Sequence, residues 1–92
     1  MSVSYRTPLP DGRVATRTSA TDRYTHLVVS FADYPASANA WALKHHASRW
    51  LAAGYCGSWP LADKLASKWR AKLLTMGCTG IDVRILPIER AS

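Results

Sequence analysis

The chain has 92 residues, which is enough for one domain around a single core. Apolar residues make up 48% of it, as in ordinary globular proteins, so the composition argues against an intrinsically disordered chain. Twelve Lys and Arg against six Asp and Glu give a formal net charge of +6. This charge favours nucleic acid, an anionic membrane surface or an acidic protein as partner, without choosing among them.

No targeting or membrane-spanning segment stands out. No apolar run approaches the ~18 residues of a membrane span, and the beginning, "MSVSYRTPLPDGRV", lacks the apolar stretch of a signal peptide. We therefore expect a cytoplasmic protein without a membrane partner.

Three strands are predicted in the N-terminal part. Residues 3–7 and 13–18 are strand-like runs joined by "PLPDG", whose Pro, Asp and Gly favour a turn, so a hairpin is expected. The next run, "YTHLVVSFA", alternates and is the strongest strand signal in the chain. Its two faces are Leu27, Val29 and Phe31 on one side, and Tyr24, His26, Val28 and Ser30 on the other.

Two helices are predicted next. The first is expected to begin around residues 35–37 and to end at Gly54. The second is expected to begin after Ser58, with Pro60 in its first turn, and to end at Gly77. Because "GYCGS" between them is short, they should form an antiparallel helical hairpin.

The run "GIDVRILPI" predicts a last strand, and its Pro87 favours an edge position or the strand's end. The element order β-β-β-α-α-β predicts an α+β fold in a single domain, residues 1–92. In this fold a mostly antiparallel sheet of about four strands carries the helical hairpin on one face. Leu27, Val29 and Phe31 would face the helices, and the other sheet face would be uncovered.

The helical periodicity places Trp41 away from the core. The expected core stripes are Ala36, Ala40, Leu43, Ala47, Trp50 and Leu51 in the first helix, and Leu61, Ala62, Leu65, Ala66, Trp69, Leu73 and Met76 in the second. Trp41 lies about 140° to 180° from the centre of the first stripe, so we expect it to be at least partly exposed. Either a loop covers it, or it is a contact hot spot, in which tryptophan is enriched. The predicted partner-binding surface comprises Trp41, Lys44, His45, Ser48 and Ala52.

The uncovered sheet face is a second candidate surface. Its predicted basic and aromatic side chains are Arg6, Arg13, Arg17, Tyr24, His26 and Arg84. Such side chains on an open sheet are how some RNA-binding modules stack bases and hold phosphates. A solvated face that protects a sheet edge, and dimerisation through this face, are the alternatives.

Catalytic and metal-binding patterns are weak. Cys56 and Cys78 would be separated by the length of the second helix, roughly 24 Å, whereas a disulfide needs Cα atoms within about 7 Å. Adjacent His45 and His46 diverge by about 100° on a helix and do not share a metal-binding face. The acidic residues are scattered, and no glycine-rich phosphate loop occurs. We expect neither an enzyme nor a cofactor.

The stretch "DGRVATRTSATDRYTHLVVSF" contains a short "G..ATR.S" strand followed by "YTH.VV", and an alanine- and tryptophan-bearing helical half comes after it. In this the chain resembles small uncharacterised accessory proteins of actinobacterial bacteriophages, over residues 11–51. The resemblance implies a non-virion protein made in the host cytoplasm, where some such proteins bind and disable a host protein. It carries over no functional residue and no known fold.

Two functional hypotheses follow. The first is a small non-enzymatic interaction protein that binds a host protein or self-associates as a homodimer, using Trp41 and the outer helix face. The alternative is a basic nucleic-acid-binding module that uses the open sheet face.

Overall fold

Two helices and two antiparallel sheets form the computed structural model, in which residues 3–19, 23–46 and 49–90 are described. This confirms the α+β class, although the strand arrangement differs from the prediction. The elements are β1 (Val3–Pro8), β2 (Val14–Ser19), β3 (His26–Asp33), α1 (Ala40–His45), β4 (Leu51–Cys56), α2 (Trp59–Thr75), β5 (Thr79–Pro87) and β6 (Glu89–Arg90).

The strands divide into an N-terminal sheet, ordered β2-β1-β6, and a central sheet, ordered β4-β3-β5. The predicted hairpin is present as β1 and β2, which pair from Val3 opposite Ser19 to Pro8 opposite Val14. Gly12 adopts a φ of 92° in the connecting turn, a conformation that few other residues adopt easily. The predicted last strand is β5, which is an edge strand and ends at Pro87.

The prediction that residues 51–54 continue the first helix is wrong. β4 occupies this part of the chain and pairs with β3, with Tyr55 opposite Leu27 and Ala52 opposite Val29. The short apolar run "LAAGYC" fits a helix or a strand equally well by periodicity, and pairing with β3 outweighs the helix propensity of its alanines. The expected helical hairpin is therefore replaced by a strand followed by α2.

The first helix is much shorter than predicted. α1 has six residues, and its N-cap is Asn39, whose side chain accepts a hydrogen bond of 2.8 Å from the backbone N–H of Ala42. Ala42 is buried, whereas Ala40 and Leu43 of the predicted core stripe are exposed. Ala36 is also exposed, and Ala47 lies outside the described residues.

The second helix is close to its prediction. Ser58 caps α2 by accepting a hydrogen bond from the backbone N–H of Leu61, Pro60 lies in the first turn, and Gly77 follows the helix with a φ of 81°. Of the predicted core stripe, Ala62, Ala66 and Leu73 are buried, Leu65 and Trp69 are half-buried, and Leu61 and Met76 are exposed. No helix in the described part of the chain is long and apolar enough to span a membrane.

α2 packs on the face of the central sheet opposite to the predicted one. The buried core on this side contains Val28, Ala32, Cys56, Ala62, Ala66, Leu73, Cys78 and Val83. We expected Leu27, Val29 and Phe31 to face the helices, but the alternate residues of β3 do so. Because the segment from Leu27 to Ala32 is largely apolar on both faces, its alternation does not tell which face meets the helix.

The other face of the central sheet is covered, which corrects the prediction of an open face. Leu27 and Val29 lie on it and are 0% exposed. The N-terminal sheet contacts this side through Arg17 of β2, whose guanidinium carbon lies 5.6 Å from the ring centroid of Tyr55. Tyr5 of β1 is buried and meets Tyr24 edge to face, with 5.5 Å between ring centroids. The layers are therefore α2, the central sheet and the N-terminal sheet.

We predict a large difference between two adjacent leucines of α2. Leu73 is 1% exposed in the core, whereas Leu74 is 68% exposed. Leu73→Ala should lower the free energy of unfolding by about 2–5 kcal/mol, because it removes buried apolar surface and leaves a cavity. Leu74→Ala should stay within about 0.5 kcal/mol of the parent protein. Urea denaturation followed by circular dichroism measures both, and equal effects would contradict the placement of α2.

Candidate functional site

Trp41 is the most exposed tryptophan in the chain's described part. Its side chain projects from α1 and is 61% exposed, so the prediction of at least partial exposure is confirmed. The indole contacts the rings of His45 and His46, with centroid distances of 5.0 Å and 4.7 Å. These two imidazoles, from the end of the same short helix, support the indole from one side while most of its surface stays open to solvent.

A shallow cavity of about 200 Å³ lies between Trp41 and α2. Trp69, Lys72 and Met76 form its α2 side, and Tyr34, Asn39, Ala42 and His46 complete it near α1. The Lys72 ammonium lies 4.6 Å from the ring centroid of Trp69, a cation–π contact. We call Trp41, Trp69, Lys72 and Met76 the Trp41 surface. Sequence periodicity assigns Trp69 and Met76 to the core, but Trp69 is half-buried and Met76 is exposed.

The other predicted partner-binding residues divide into three cases. Lys44 and His45 are exposed on α1 beside Trp41, as a helical surface requires. Ala52 is exposed but belongs to β4, so it does not share a helix face with Trp41 as predicted. Ser48 lies outside the described residues.

The predicted nucleic-acid-binding residues do not share one surface. Arg6 is exposed on β1, whereas Arg17 is exposed on β2 and its guanidinium carbon lies 5.6 Å from the ring centroids of both Tyr24 and Tyr55. His26 lies on the α2 side of the central sheet and meets the ring of Trp59 at 5.7 Å. The prediction that Tyr24 and His26 share an open face is wrong, because the N-terminal sheet covers one face and α2 the other.

Arg13 and Arg84 each contact Trp50, which lines a cleft. The Arg84 guanidinium carbon lies 4.8 Å from the Trp50 ring centroid, and Arg13 donates a hydrogen bond to the Trp50 carbonyl oxygen. The cleft has a volume of about 510 Å³ and is lined by Asp11, Arg13, Phe31, Arg49 and Trp50. Sequence periodicity placed Trp50 in the helical core, and no local signal revealed this cleft.

Carboxylates neutralise two of the arginines at this cleft. Arg84 donates from Nε and Nη2 to Asp82 Oδ2, at 3.1 Å and 2.9 Å. Arg13 donates from its backbone N–H to Asp11 Oδ1 at 3.0 Å and from Nε to Oδ2 at 2.7 Å. These bonds, with the backbone bond the larger contribution, hold the pKa of Asp11 below its usual value. The paired arginines have less charge to offer a phosphate than two free ones would.

The two cysteines are free and buried. Burial raises the pKa of the Cys56 and Cys78 thiols above the ordinary value. The described residues contain no group of three or more His, Cys, Asp or Glu side chains that could hold a metal ion.

No protein-family model matches the chain, and neither does any curated protein or solved structure.

We predict slow alkylation of both thiols in the folded protein. A raised pKa lowers the fraction of reactive thiolate at a given pH, and burial also restricts access of the reagent. Labelling by iodoacetamide at pH 8, followed by mass spectrometry, should be at least about tenfold slower than in denaturant. Equal rates in the two conditions would show that Cys56 and Cys78 are not in the core.

Proposed function

We propose that the protein is a small non-enzymatic protein-binding module, and that the Trp41 surface is its main contact. The observation that carries this proposal is the 61% exposure of Trp41 beside the partly exposed Trp69 and Met76. Isolated exposed apolar residues are common on soluble proteins, but a contiguous cluster marks an interaction site more often. Tryptophan contributes a large apolar area at such sites and is enriched among binding hot spots.

The polar border of the Trp41 surface fits the same function. Lys44 and His45 on α1 and Lys72 on α2 are exposed around the apolar centre. Protein interfaces commonly combine an apolar centre with a polar rim that excludes water from the central contacts. The mechanism would be steric, with the module occupying a surface of its partner.

Charge favours a foreign partner over a second copy. Each chain carries a formal net charge of +6, so two copies repel each other, whereas an acidic protein is attracted. In keeping with the resemblance to phage accessory proteins, the proposed partner is a protein of an actinobacterial host, met in its cytoplasm.

The nucleic-acid alternative has less support. It required an open, basic sheet face, but both faces of the central sheet are covered, with Val28 on the α2 side and Leu27 and Val29 on the other side all fully buried. Arg13 and Arg84 are paired with Asp11 and Asp82. Loss of binding after nuclease treatment is nevertheless an outcome that the following experiment detects.

We predict that Trp41→Ala abolishes partner binding and leaves the fold intact. Loss of a hot-spot tryptophan should reduce capture at least about tenfold, while the melting temperature changes little because the side chain is mostly exposed. The measurement is capture from nuclease-treated actinobacterial lysate by tagged protein, quantified by mass spectrometry. Trp59→Ala is the matched control, since Trp59 is 55% exposed and lies outside the Trp41 surface.

Three results would count against the proposal. Capture could persist in Trp41→Ala, Trp41→Ala could lower the melting temperature strongly, or capture could disappear with nuclease. The first removes Trp41 from the interface, the second places it in the core, and the third favours the nucleic-acid alternative.

A further inference from the structure

The four edge strands of the two sheets differ in how well their residues discourage pairing with a further strand. Within the described residues the edges are β2, β6, β4 and β5. β2 contains Arg17, β6 is Glu89–Arg90, and β5 contains Asp82 and Arg84 and ends at Pro87. β4, with the sequence "LAAGYC", has neither a charged residue nor a proline. Charges and prolines discourage a further strand from pairing with an edge, so β4 is the unprotected edge among them.

An apolar groove lies directly beside this edge. It has a volume of about 360 Å³ between residues 55–57 on one side and Leu61, Lys64, Leu65 and Lys68 of α2 on the other. Leu61 is 57% exposed and lies beside the half-buried Leu65, so the groove presents apolar side chains to solvent. We call this feature the β4 groove.

Close packing makes the strand edge and the helix one continuous surface. A Cβ atom on Gly54 would lie 2.7 Å from Leu65 Cδ2, so the Leu65 side chain rests against the backbone of β4. The register with β3 is irregular between Gly54 and Ala52, which leaves residues 54–56 as the regular part of the strand beside the groove. A short extended segment added there would have its side chains next to α2.

Lysines border the groove on the helix side. Lys64 and Lys68 are exposed and lie one helical turn apart on α2. None of the described residues that line the groove is acidic. A ligand that fills it would therefore meet an apolar floor with two positive charges at its rim.

We propose that the β4 groove binds an extended, acidic segment of a partner protein by strand addition. The segment's backbone pairs with the free edge of β4, its apolar side chains contact Leu61 and Leu65, and its carboxylates meet Lys64 and Lys68. This is a recognised mode of peptide binding, in which backbone hydrogen bonds give affinity and side-chain pockets give specificity. The proposal does not rest on the role of Trp41, which lies outside the groove.

Charge also argues against a second copy of this chain, or a nucleic acid, as the occupant of the groove. In a symmetric dimer joined through β4, each chain would bring the same surface and its net charge of +6 to the contact, and no acidic side chain among the described lining residues would compensate. A nucleic acid would place phosphates against Leu61 and Leu65, and the lining residues that the structure describes include no arginine to hold them.

The test begins with selection of displayed random linear dodecapeptides on the immobilised protein. We expect enrichment of peptides that alternate apolar residues with Asp or Glu. The best enriched peptide is then synthesised with a fluorescent label, and its Kd is measured by fluorescence polarisation. The combined variant Lys64→Glu with Lys68→Glu should weaken binding at least about tenfold, because it replaces attraction by repulsion.

A matched control distinguishes a local effect of the groove lysines from a general effect of the changed net charge. Lys44→Glu with Lys72→Glu changes the net charge by the same amount at positions that do not line the groove, and should change the Kd less than about threefold. Trp41→Ala should leave peptide binding unchanged even if it abolishes capture of the lysate partner. Hydrogen exchange of the parent protein should slow, when the peptide is added, at those amides of residues 54–56 that point away from β3, because hydrogen bonds to the added strand protect them.

Several results would overturn the proposal. These are enrichment of no peptide or of non-acidic peptides, equal weakening in both double variants, and unchanged exchange at residues 54–56. A dimer in sedimentation equilibrium that Lys64→Glu with Lys68→Glu alters would assign the groove to a second copy instead.

Discussion

Antiparallel pairing of β4 with β3 determines where the candidate surfaces of this protein lie. Because residues 51–56 extend along β3, from Leu51 opposite Ser30 to Cys56 opposite His26, they are not available to continue the first helix. α1 is left with six residues and ends at His45. Trp41 and Met76 are exposed beside this short helix, and Trp69 is half-buried.

The same pairing produces the other two surfaces. Trp50, just before β4, lies between Phe31 and Arg84 at the edge of the central sheet, with its ring 5.4 Å from that of Phe31. β4 itself becomes an edge strand without charged residues, and Leu65 of α2 packs directly on Gly54. One strand thus links a tryptophan-centred surface, a cleft of paired arginines and an apolar groove bordered by lysines.

Features specified by local chemistry could be predicted from the sequence, and features set by long-range pairing could not. Ser58, Pro60 and Gly77 mark the ends of α2 through capping and backbone preferences that act within a few residues. The segment 51–56 has no such marker, because its alanines favour a helix while its place beside β3 is set by contacts far away in the chain.

The candidate site also contains residues whose positions could be predicted from local sequence and residues whose positions depend on long-range pairing. Trp41, Lys44 and His45 fall within the six residues that are helical and are exposed as predicted, although Ala40 and Leu43 of the predicted core stripe are exposed as well. The prediction places Ala52 on the same helix face as Trp41 because it extends the first helix to Gly54, whereas α1 ends at His45. The prediction chose the wrong face of β3 to meet α2. Val28 and Val29 are both fully buried, so both faces of β3 are apolar and the sequence does not alternate between apolar and polar residues.

The most direct test of this account is a nuclear Overhauser measurement of the contacts made by residues 51–56. Pairing of β4 with β3 predicts cross-strand contacts between backbone protons of Val28 and Gly54 and of Leu27 and Tyr55, without helical contacts between residues three apart. A continuous series of helical contacts from residue 40 to residue 53 would contradict it. Such a helix would remove the strand edge and rebuild the surface around Trp41.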